Sequence, residues 1–237
     1  MGNALGTPPN GPSGVPRGQM KPENGSESSR RNFMPPQLAE FDGSHGKPIY
    51  VSLLSEVFDV CESSDCLFGP GGKYHALAGK DASRALATNE LSDGSIENID
   101  LSDLSDQQLQ VLNDWITRFR DENKFPIVGR LVVPMDLTRD ELRQYTGLDG
   151  LRGTTLIALN GTIFDVTLNG LAHYGPDGAY SQFAGRDASR ALALMSLDDE
   201  CLDDPRLDDL SDVQKSSLSD WATRFQQKYA PIGKLLQ

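Results

Sequence analysis

Residues 73–87 read KYHALAGKDASRALA and residues 179–193 read AYSQFAGRDASRALA, identical at ten of fifteen positions. In each stretch a tyrosine, Tyr74 or Tyr180, stands seven residues before an aspartate, Asp81 or Asp187, that opens an alanine-rich run. Further pairs keep the same offset: Phe58 with Phe164, Gly79 with Gly185, Trp115 with Trp221 and Phe119 with Phe225. This is an internal duplication, and its period is too long for a solenoid repeat, so each copy is expected to be a complete small domain. The seam falls near VVPMDLT at 132–138.

Within each copy the local signals describe a short hairpin followed by helices. In the second, TTLIALNGTIFDVT places β-prone residues on both sides of Asn160-Gly161, a strong two-residue turn signal. The first copy has Leu54-Ser55 there, so its turn is expected to be built differently. Asp81 and Asp187 are expected to cap the ASRALA helices by accepting free amide hydrogens. Ser105-x-x-Gln108 and Ser211-x-x-Gln214 are capping-box patterns that announce a second helix. Leu112, Trp115, Ile116 and Phe119 then follow at helical spacing, as do Leu218, Trp221, Ala222 and Phe225. These stripes read as core. A hairpin with a few helices is an α+β arrangement.

The totals agree with two modest domains: 237 residues, 38% hydrophobic and 24% charged. A formal net charge of −12 argues against a nucleic-acid surface, which needs clustered Lys and Arg. Cys61, Cys66 and Cys201 contain no C-x-x-C pair and support neither a disulfide framework nor a zinc site, so a reducing, intracellular setting is expected. No window approaches the roughly 18 apolar residues of a membrane span, and no secretory signal is visible at the start. Residues 1–32 are rich in Gly, Pro, Ser and Asn and are expected to form a disordered arm. The opening MGNALG is close to an N-myristoylation pattern at Gly2, with Gly6 where Ser or Thr is favoured. The acidic run LDDECLDDPRLDDLSD lacks the spacing of a calcium loop and reads as a solvated face with helix caps. GPGG at 69–72 lacks the Lys-Ser/Thr of a phosphate loop and reads as a turn. No catalytic motif appears, so catalysis in its own right is not indicated.

IFDVT, YGPDGAYSQFAGRDASRALA, LDDLSD, LSDWATRF and KYAPIGKLL together resemble the membrane-associated progesterone receptor family, whose domain is a relative of cytochrome b5. The resemblance runs over 137–236 and, more loosely, over 33–131 through VFDV, FGPGGKYHALAGKDASRALA, LSDLSD and LNDWITRF. It implies two tandem cytochrome b5-like domains, 33–133 and 134–237, behind the arm of 1–32. It also implies non-covalent, b-type haem. The histidine that cytochrome b5 places before its Pro-Gly-Gly turn is replaced by Gly69 and Gly175, which disfavours bis-histidine ligation and simple electron shuttling. The family's single axial ligand is a tyrosine, matched by Tyr180.

The supporting residues carry over in the second copy. Tyr174 matches a pocket tyrosine that hydrogen-bonds toward the ligand oxygen, and Lys228 and Tyr229 match a pair at the pocket edge, the lysine facing a propionate. In the first copy Tyr74 keeps the ligand position and Lys124 is retained, but Phe68 and Phe125 replace the two other tyrosines. That half reads as either a weaker haem site or a scaffold filled with apolar side chains.

By resemblance the partners are haem, sterols, haem-thiolate monooxygenases of the endoplasmic reticulum and a second copy joined through haem; a peripheral membrane contact is expected from acylation at Gly2 with Arg17, Lys21, Arg30 and Arg31 nearby. Two other functions stand beside a haem- or steroid-binding accessory protein. One is a haem-free interaction scaffold; the other is an electron carrier, which would need two strong iron ligands.

Overall fold

The computed structural model describes residues 30–61, 67–148 and 152–236, which divide into two compact units with a boundary between Val133 and Pro134. Gly2 and its acylation, Cys66, and the arm up to residue 29 lie outside the described residues. Arg31 and Asn32, assigned to that arm on composition, belong instead to a strand.

The first unit contains β1 (Arg31–Phe33), α1 (Pro35–Leu38), β2 (Tyr50–Leu53), β3 (Glu56–Asp59), α2 (Ser83–Thr88), α3 (Asp93–Glu97), α4 (Asp106–Thr117) and β4 (Ile127–Leu131). Its sheet runs β1-β4-β3-β2, with β1 parallel to β4 and the other pairs antiparallel. The second unit contains α5 (Arg139–Leu142), β5 (Leu156–Leu159), β6 (Thr162–Asp165), α6 (Thr167–Tyr174), α7 (Ser189–Leu194), α8 (Asp212–Lys228) and β7 (Ala230–Lys234), with a β5-β6-β7 antiparallel sheet. In place of a first strand, residues 135–137 run beside β7: Met135 N–H donates to Ile232 O at 2.9 Å and Leu137 N–H to Lys234 O at 3.1 Å. Glycine makes both approaches possible. A Cβ at Gly129 would collide with Arg31 O, and one at Gly233 with Met135 O.

The duplicated stretch holds each hairpin to its helix. Ser83 Oγ accepts the Leu54 N–H at 2.9 Å and donates to Asp81; Ser189 Oγ accepts the Asn160 N–H at 2.9 Å and donates to Asp187. The aspartates also accept the Ser83 and Ser189 N–H groups at 3.0 Å. The N-cap positions are thus Ala82 and Ala188, not the aspartates as the sequence suggests; each aspartate sits one residue earlier and anchors a serine as well as the helix start. Next in the motif, Arg84 pairs with Asp103 and Arg190 with Asp209, each at 2.6 Å.

This clamp overturns the expectation of a different first turn. Leu54 and Ser55 adopt φ of 50° and 69°, the same left-handed pair as Asn160 and Gly161 at 51° and 75°. Left-handed backbone costs a side-chain-bearing residue about 1–2 kcal/mol. The Leu54 bond to Ser83, with Leu131 N–H donating to Ser55 O at 2.8 Å, offsets it.

Both capping boxes form as expected, Ser105 with Gln108 and Ser211 with Gln214. Leu112, Ile116 and Phe119 face the first core beneath Phe58; Leu218 and Phe225 face the second beneath Phe164. Each such burial contributes on the order of 1.5–3 kcal/mol. Trp115 and Trp221 pack at the margins.

The acidic run is largely the expected solvated face with a helix cap, Asp198, Asp199, Glu200, Asp208, Asp209 and Asp212 being exposed, but two of its carboxylates depart from it. The side chains of Asp203 and Asp204 are only 8% exposed, because Arg186 and Arg143 reach the first and Arg190 and Arg206 the second. The Arg206 guanidinium holds the Asp204 carboxyl well below the usual carboxylate range. These carboxylates are buried because the arginines satisfy them; the composition of the run alone suggested a solvated face.

Candidate functional site: a tyrosine cluster in the second unit

Helix α6 ends at Tyr174, and a tight loop returns the chain so that the Tyr180 N–H donates to His173 O at 2.9 Å. The return sets the Tyr174 and Tyr180 rings 6.4 Å apart at 45°. From the end of α8, Tyr229 meets Tyr174 at 5.9 Å and Phe225 at 5.2 Å. Gly170 clears the space: a Cβ there would stand 3.3 Å from both the Tyr174 and Tyr229 rings. Sequence reasoning missed this residue; its one signal is a glycine inside a helical run.

The three phenols differ in setting. Tyr174 and Tyr229 are 8% and 5% exposed, whereas Tyr180 is half-buried and stacks on Phe183 at 5.8 Å. Burial pushes the Tyr174 phenol far above its ordinary value, reinforced by Tyr229 and Tyr180 beside it. Tyr174 is thus a neutral phenol at ordinary pH. Lys228 is exposed at the rim, its Nζ 5.1 Å from the centre of the Tyr229 ring. Partial burial, then the Lys228 charge, push the neighbouring His173 imidazole below its ordinary value.

Every candidate in the second unit, Tyr174, Tyr180, Lys228 and Tyr229, is therefore brought to one place. At Gly175 a Cβ would stand 2.5 Å from Leu171 O, so no histidine fits there without moving the helix end.

The first unit repeats the frame with other side chains. Tyr74 N–H donates to Leu67 O at 2.8 Å, and Phe68 meets the Tyr74 ring at 5.7 Å. Phe119 meets Phe125 at 5.2 Å, as Phe225 meets Tyr229, although two extra residues intervene. A wide turn over Arg118–Glu122 and a left-handed Lys124, φ 52°, absorb them. Lys124 therefore follows the helix end, whereas Lys228 is the last residue of α8.

The sequence profile of the "Cytochrome b5-like Heme/Steroid binding domain" matches residues 138–229, within the second unit. The Schizosaccharomyces pombe "Cytochrome P450 regulator dap1" is 39% identical over 131 residues, 51% of this chain and 77% of that protein. The Arabidopsis thaliana "Probable steroid-binding protein 3" is 41% identical over 102 residues, 43% of this chain and 99% of that one. The chain belongs to the membrane-associated progesterone receptor family. Another member of this family, human "Membrane-associated progesterone receptor component 2", is 48% identical over 105 residues, 43% of this chain. The match spans less than half of that relative, 45%. Membership assigns the family's cytochrome b5-like α+β fold to the second unit. Among the described residues of this family member, no helix is long and apolar enough to cross a membrane.

Proposed function

We propose that the second unit binds ferric haem with Tyr180 as the iron ligand, and that the chain is a haem-binding accessory protein rather than a catalyst. The observation that carries this reading is the convergence of Tyr180 with Tyr174 and Tyr229, one phenol half-buried and two buried. The donor set fits the group. Bound haem supplies an oxidised iron centre, for which an anionic phenol oxygen is a strong ligand.

In this reading the Tyr180 oxygen would hold the iron, and Tyr174 and Tyr229 would fix the ring positions around it. Lys228 at the rim offers its ammonium to a propionate, and the bar to histidine at Gly175 favours this site over a bis-histidine electron carrier. The matched clamps and ion pairs of the two units support reading the first as a second, divergent cytochrome b5-like domain. The name of the fission yeast relative supports haem-thiolate monooxygenases as partners. The names of the relatives support a steroid as a second ligand and a peripheral membrane contact.

The test is to add ferric haem to the full chain and record absorption spectra of wild type, Tyr180→Phe, Tyr74→Phe and the double variant. A high-spin phenolate-type spectrum lost in Tyr180→Phe supports the reading. A low-spin spectrum indifferent to the substitution would return the electron carrier, and absence of retained haem the scaffold.

A further inference from the structure

Resting on that reading, we infer that the chain holds one ligand, in its second unit, because Tyr74, the counterpart of Tyr180, has become a core side chain of the first. The two tyrosines share a backbone position, yet their rings meet different surroundings. Tyr74 is 8% exposed, and Tyr180 is half-buried.

The neighbours explain the difference. Tyr180 lies nearly parallel to Phe183, 26° between planes, and the residue matching Phe183 in the first unit is Leu77, which offers no ring to stack on. Tyr74 instead meets Trp115 edge-on at 5.5 Å and 88°, and Phe68 at 5.7 Å. Above it, Lys73 places Nζ 4.9 Å from the ring centre, where the second unit has Ala179. An aromatic side, an edge-on indole and a cation over one face enclose the phenol as packing rather than presenting it as a donor.

The loss of oxygen partners points the same way. Phe68 and Phe125 stand where Tyr174 and Tyr229 carry hydroxyls, so the first unit keeps one phenol oxygen where the second gathers three. Ligand selection between the copies is therefore set by Leu77 against Phe183, Lys73 against Ala179, and the two phenylalanines.

Two measurements on the full chain test this. Titration with ferric haem should saturate at one equivalent in wild type and in Tyr74→Phe, and Tyr180→Phe should take up none. Saturation at two equivalents, or uptake lost in Tyr74→Phe and kept in Tyr180→Phe, overturns the inference. Nitration of the ligand-free protein by tetranitromethane, mapped by peptide mass, is independent of ligand identity: Tyr180 should react and Tyr74 be spared. Equal modification of both overturns the inference even if haem is the wrong ligand, whereas absence of haem uptake with Tyr74 still protected overturns only the proposed function.

Discussion

The rings of Tyr174 and Tyr229 meet edge-on, 5.9 Å apart at 70°, inside the core of the second unit. That contact joins the end of α6 to the residue after α8, so it ties together the two elements that frame Tyr180.

The two hydroxyls should act together. Tyr229→Phe alters the surroundings of the buried Tyr174 phenol, and we expect a loss of about 1–3 kcal/mol. The double replacement Tyr174→Phe/Tyr229→Phe, which copies Phe68 and Phe125 of the first unit, should be destabilised by less than the sum of the single changes. Urea unfolding of the four proteins measures this; additive losses would show that the two rings are not coupled.

Alkali should weaken the second unit. The Tyr174 value is raised by folding, so the folded state holds its proton more tightly than the unfolded state. Its contribution is present in full below the ordinary phenol value of about 10 and declines as pH rises beyond it. Melting temperatures measured from neutral to strongly alkaline pH should fall less steeply in Tyr174→Phe than in wild type. Parallel curves would contradict the assignment.

Gly161→Ala isolates backbone strain, because φ there is 75° and a Cβ would meet nothing within 4 Å. We expect a loss of about 1 kcal/mol, read as a lowered urea midpoint. An unchanged midpoint would mean the hairpin relaxes to another turn.

Gly170→Val should spread the tyrosines, since even the first added carbon presses on Val166 and on both rings. Ferric haem retention is expected to weaken at least about tenfold, equivalent to about 1.4 kcal/mol. Gly94→Ala in the first unit, where a Cβ meets nothing within 4 Å, should leave retention unchanged and serves as the control.

Some features were legible because they depend on a few residues close in sequence. The two capping boxes, the Asn160-Gly161 turn and the apolar stripes of α4 and α8 are local patterns, and each forms where the spacing says. Tyr174, Tyr180, Lys228 and Tyr229 were found through the family resemblance, and the loop after α6 gathers the first two.

Other features required partners distant in the chain. The Leu54-Ser55 turn carries no turn signal, yet Ser83 and β4 hold it left-handed. Nothing within 197–212 tells that arginines on other elements bury Asp203 and Asp204.

The sequence by itself determined the duplication, the fold family and the side chains of the tyrosine cluster, because identity, short-range spacing and residue chemistry are written along the chain. Tertiary structure decided how open each tyrosine is. The same backbone motif leaves Tyr180 half-buried on Phe183 and shuts Tyr74 against Trp115, Phe68 and Lys73, since burial is set by what the fold packs around a ring.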